Sequence, residues 1–172
     1  MVHRVLRTVL VAGFVLAGPA YAEIHRVDIT LFMPCDNETA VKAAASLEAV
    51  PGVTHVDLVA GRLEVSVETG HEFTGDPLQL VQKLWDGKIY PNKIYLEASG
   101  RIEMSDGVYY FRTAETGQRF EVRDEPRLRQ LLNESSADSL IHMRAEVVDW
   151  VEDRQLEAGQ LYTLKLLEYS IS

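Results

Sequence analysis

The stretch that decides the fold is Ile94-Tyr95-Leu96-Glu97-Ala98-Ser99-Gly100-Arg101-Ile102-Glu103-Met104. Its apolar residues alternate with polar ones on either side of Gly100, which reads as two short strands, 94–97 and 101–104. A β-α-β-β-α-β order is complete before Gly100, and a fresh strand pattern begins after it. The sequence therefore predicts a joint near Ala98–Gly100, with one folded unit before it and another after it.

Working back from that joint, Pro77 suits the first turn of a helix whose apolar residues are Leu78, Val81, Leu84 and Trp85, ended by Gly87. Val53–Val59 and Arg62–Val67 alternate and meet at Ala60-Gly61, a hairpin pattern. Thr39–Val50 carries Val41, Ala44, Ala45 and Leu47 at helical spacing after a possible cap at Asp36 or Asn37, and Pro51-Gly52 stops it. His25–Phe32 alternates as a first strand. The order β-α-β-β-α-β is the ferredoxin-like plan, predicted over residues 23–98.

Working forward, Arg101–Met104 and Val108–Thr113 flank Ser105-Asp106-Gly107, a hairpin signal. Gln118–Val122 follows the turn at Glu115-Thr116-Gly117. Arg127–Asn133 reads as a helix after Pro126, and Ser139–Asp149 and Leu161–Tyr169 as strands. Five strands with a helix between the third and fourth predict a small OB-like β-barrel over residues 99–172; a meander or sandwich is the competing arrangement. The expected class is α+β.

The first 22 residues read as an address. His3, Arg4 and Arg7 precede the apolar run Val9–Gly18, and Ala20-Tyr21-Ala22 is an A-x-A cleavage pattern. The run is about half of the ~20 residues that a spanning helix needs, so a secretory signal peptide is expected, with a periplasmic or secreted mature chain beginning at Glu23. The 172 residues carry 17 basic and 26 acidic side chains, a formal charge of −9. Losing Arg4 and Arg7 leaves 15 basic against 26 acidic, a charge of −11. Such a surface argues against binding nucleic acid, which requires a basic face. The single cysteine excludes an intrachain disulfide.

Met33-Pro34-Cys35, the helix after it, and Val50-Pro51-Gly52-Val53 give residues 25–97 a resemblance to heavy-metal-associated domains. That family has M-x-C-x-x-C after the first strand and a helix ending in L-P-G-V. Here Glu38 stands where the second cysteine would be, so the loop is M-x-C-x-x-E. The resemblance implies a metal site at Met33, Cys35 and Glu38, with copper first among the ions. Two thiolates suit soft Cu(I), whereas a carboxylate is a hard ligand, so this loop would bind Cu(I) more weakly than the family's loop. A second copy of the chain, as a homodimer, would supply a second thiolate.

His25, His55, His71 and His142 form no helical i, i+4 pair and no H-E-x-x-H pattern, and each alone reads as an ordinary core or surface residue. His142 and Met143 are adjacent on a strand, so they face opposite sides and cannot chelate one ion. No G-x-S-x-G, P-loop or dinucleotide fingerprint occurs, and no enzymatic activity is expected. Tyr109-Tyr110-Phe111 reads as core packing or a protein contact. Two functions follow as expectations: a periplasmic metal-binding or metal-handling adaptor, and a metal-free interaction module serving an envelope complex. Intact-mass analysis of exported protein should show Glu23 as the first residue. Full-length chain recovered from membranes would refute the cleavage.

Overall fold

A computed structural model describes residues 24–32, 37–58, 64–69, 73, 77–114, 116–148 and 161–172. Its elements run β1 (Ile24–Leu31), α1 (Asn37–Glu48), β2 (Val53–Leu58), β3 (Glu64–Thr69), α2 (Pro77–Asp86), β4 (Pro91–Ser105), β5 (Val108–Thr113), β6 (Arg119–Val122), α3 (Pro126–Glu134), β7 (Ile141–Val147) and β8 (Thr163–Ile171). The class is mixed α+β. The strands form one sheet in the order β2-β3-β1-β4-β5-β6-β8-β7, and a further β4–β7 pairing closes the last five into a barrel. That barrel is compatible with the OB-like expectation.

The expected joint at Ala98–Gly100 lies inside β4, a single strand of 15 residues. The segments 94–97 and 101–104 are therefore one element, not two. Tyr95–Ala98 pair with β1 on one edge and with β7 on the other. Gly100 pairs with Ile141 of β7 and with Thr113 of β5. It follows that β1 and β5 occupy successive stretches of the same edge. Glycine is required at this change of neighbour. A Cβ on Gly100 would lie 2.2 Å from the Arg112 carbonyl oxygen and 2.7 Å from the Phe111 ring. The residue that looks like a break is the one that lets β5 approach.

The β4–β5 turn follows its sequence signal. Asp106 and Gly107 both have positive φ, 54° and 80°, the pair of conformations that a two-residue hairpin of matching twist demands. β6 and β8 run parallel, so a crossover must join them. α3 lies within that crossover and buries Leu128 and Leu131.

One apolar core runs through the molecule. Ile94, Leu96 and Ala98 of β4 share it with Val27 and Ile29 of β1 and with Met143 and Ala145 of β7. α1 contributes Ala43 and Leu47, and α2 contributes Leu80, Val81 and Leu84. The α1 face differs from expectation: Ala40, Ala43 and Leu47 are buried, whereas Val41 is exposed. Their spacing of three and four residues marks the helix face turned to the sheet.

Gly100→Ala should destabilise the protein by about 1–3 kcal/mol, the usual cost of overpacking a closed site. Urea unfolding checks this; an unchanged midpoint would mean that β4 and β5 separate without cost.

Candidate functional site

The outward face of β1, β4 and β7 carries a polar network. On β4, Ile94, Leu96 and Ala98 point into the core, so Tyr95, Glu97 and Ser99 point outward. Arg26 and Asp28 of β1, and His142 and Arg144 of β7, flank them by register. Asp28 is buried, and it accepts hydrogen bonds from Arg26 Nε at 2.8 Å and Arg144 NH2 at 3.1 Å. The Arg144 guanidinium stands over the Tyr95 ring at 5.1 Å. A charge this deep needs such partners, and here they tie β1 to β7 across β4.

At the end of this network β1 carries an extra residue. Ile24 pairs with Ala98 and Arg26 with Glu97, leaving His25 without a β4 partner. This is a β-bulge, which reverses the inward–outward alternation and re-aims side chains. Ile24 and Val27, three residues apart, are both buried as a result.

His25 is thereby aimed along the sheet at Ser99. His25 Nε2 lies 2.5 Å from Ser99 Oγ, and His142 Nδ1 lies 2.6 Å from the same oxygen. The ring centroids are 6.4 Å apart. A serine hydroxyl has one proton to give, so one imidazole donates to Ser99 while the other accepts from it. The two histidines line an open cleft with Glu97, Arg144, Glu168 and Tyr169. Burial, then the like charge of His142, lowers the His25 pKa, and Glu97 opposes them. The neutral form of His25 is favoured accordingly.

Of the three residues predicted from the family resemblance, only Glu38 is among the described residues. Met33 and Cys35 lie outside the described residues. Glu38 lies in the first turn of α1, its side chain 75% exposed and paired with Lys42 at 2.8 Å. Among the described residues no three His, Cys, Asp or Glu side chains converge as a metal cluster. The opposed orientation expected of His142 and Met143 is present: His142 is exposed and Met143 buried. The pairing of His25 with His142 was not legible from spacing, because 116 residues separate them and a bulge aims one of them.

No family model, curated protein or solved structure matches this chain.

The His25 shift has a pH consequence. Its folded pKa lies below the ordinary 6.5, so below that pH the unfolded chain binds the extra proton first. The stability that His25 contributes is present above about pH 6.5 and is lost as pH falls toward the folded value. Thermal melts of metal-free protein should show the loss, and His25→Gln should flatten that part of the profile. An identical profile in the variant would remove His25 from the account.

Proposed function

We propose that the chain is an extracytoplasmic metal-binding adaptor whose site is the cleft between His25 and His142. The observation that carries this reading is the convergence of two imidazoles on one serine hydroxyl. Their nitrogens, 2.5 and 2.6 Å from Ser99 Oγ, lie within about 5 Å of each other. Zinc or copper sits ~2.0–2.1 Å from each imidazole nitrogen, so a modest turn of the rings would bring both onto one ion. Imidazole suits borderline ions such as Zn(II), Cu(II) and Ni(II). Glu97 and Glu168 add negative charge to the cleft rim. Two protein ligands leave coordination positions open, which suits an ion that is passed on rather than stored. The Met33–Cys35–Glu38 loop would be a separate, softer site for Cu(I).

The fold plan is part of the proposal. The ferredoxin-like reading of the first half is supported by its β-α-β-β-α-β order and by the antiparallel succession β2-β3-β1-β4. The OB-like reading of the second is supported by closure between β4 and β7, the parallel β6–β8 pair, and a helix between β6 and β7. The periplasmic address rests on the leader pattern of Met1–Ala22.

One observation favours the metal-free alternative. Phe32 and Tyr90 are about half exposed and joined by a 2.9 Å backbone hydrogen bond. An aromatic pair so placed would suit a protein partner.

Zinc is the probe that separates these readings, because it is redox-inert and takes imidazole readily. Metal-free protein should bind Zn(II), and His142→Ala should weaken binding about tenfold or more, whereas Cys35→Ser should leave it unchanged. Calorimetric titration checks this. Zinc affinity unaffected by His142→Ala would overturn the cleft as the site and favour the interaction module.

A further inference from the structure

We infer that the protein forms a two-fold dimer through the free edge of β2, with His55 of each copy facing Asp57 of the other. The inference depends neither on the cleft nor on leader removal. Among the described residues β2 is the only strand with a neighbour on one side alone. At the far end of the sheet the β4–β7 pairing closes the barrel, and closure removes an edge. A free edge presents unpaired N–H and C=O groups to any strand that can reach them, and natural edges are commonly blocked by lysine or proline. β2 reads Val53-Thr54-His55-Val56-Asp57-Leu58 and has neither. Its one irregularity against β3 lies between Val53 and His55, so the strand is regular from His55 onward.

The polar pair on this strand identifies the occupant as a second copy of the chain. Val56 is buried, and α1 packs against β2. His55 and Asp57 therefore stand on the opposite face, where both are exposed and His55 Nε2 lies 3.0 Å from Asp57 Oδ1. A two-fold axis normal to the sheet lays the second β2 antiparallel to the first, with both helix layers on one side. Side chains alternate between faces, so the register can move only in steps of two residues. Three registers set these side chains directly opposite one another: His55 on His55, His55 on Asp57, or Asp57 on Asp57. The first and third oppose like groups, and like charges so placed destabilise a strand pair. The second puts the axis at Val56 and joins an imidazole N–H to a carboxylate twice over. It also brings Thr54 of the copy against Leu58, which is 41% exposed. The neighbouring strands carry the same alternation, because His55 faces Glu68 of β3 and Glu68 faces Arg26 of β1. Pairing uses the one such edge in each copy, so assembly closes at two. A single strand pair is smaller than an obligate interface, so the dimer forms reversibly with concentration.

The test traps the register. In protein carrying Cys35→Ser, which removes the single native cysteine, His55→Cys and Asp57→Cys are made separately and then mixed under oxidising conditions. Facing Cα atoms of an antiparallel pair lie about 4.5–5.5 Å apart, within the span of about 4.4–6.8 Å that a disulfide bridges. The two copies of position 55 stand on a diagonal, at about 7–8 Å. The mixture should therefore give a disulfide-linked dimer, and each variant alone should not. In sedimentation the dimer fraction of the unaltered protein should rise with concentration. Asp57→His should largely abolish the dimer, and adding His55→Asp should restore it, because the pair is then merely reversed. Both side chains are exposed, and rescue by the swap shows that the single variant had kept its fold. A chain that stays monomeric at every concentration, a link formed as readily by one cysteine variant alone, or a swap that leaves the dimer lost would each overturn the inference. The first of these would leave the β2 edge to a strand of another protein.

Discussion

Along Tyr95–Gly100 both edges of β4 are occupied, one by β7 and the other by β1 and then β5. Everything else in the molecule hangs on this sharing. The helix-covered half of the sheet and the barrel have no separate backbone of their own at that point. They also have no separate core, because the inward residues of β4 belong to one apolar cluster with β1 and β7. Neither half can move as a rigid body without breaking a ladder of backbone hydrogen bonds. The constraint imposes a local demand, met at Gly100, where the Arg112 carbonyl leaves no room for a Cβ.

The same sharing creates the polar face. A strand with buried apolar residues on one side presents its alternate residues to the other, and three adjacent strands align those residues in rows. Asp28, Arg26 and Arg144 make one such group, in which the buried carboxylate is held by guanidinium groups from strands on both sides of β4. His25, Ser99 and His142 make the next. Their convergence has a simple cause: Ser99 and His142 are direct cross-strand partners, and the bulge in β1 places His25 on the opposite side of the serine. A site assembled in this way lies where the two halves join. An ion held there would bridge β1 and β7, coupling its occupancy to the integrity of the shared strand.

Much of the architecture was legible because it depends on local patterns. Alternation in His25–Phe32, Val53–Val59 and Val108–Thr113 marked strands, and Asp106-Gly107 marked its turn through the positive φ that these residues tolerate. Pro77 and Pro126 marked helix starts. The acidic surface and the lone cysteine were likewise properties of composition. Tertiary structure alone decided what depends on neighbours distant in sequence. Gly100 reads locally as a break, and only the approach of Arg112 and Phe111 makes it the interior of a strand. Val41 looks as apolar as Ala43, and only the position of the sheet decides which is buried. His25 and His142 carry no mutual spacing signal, because strand register and an inserted residue bring them together. A sequence encodes its periodicities directly, but it encodes such meetings only through the closure of the whole sheet.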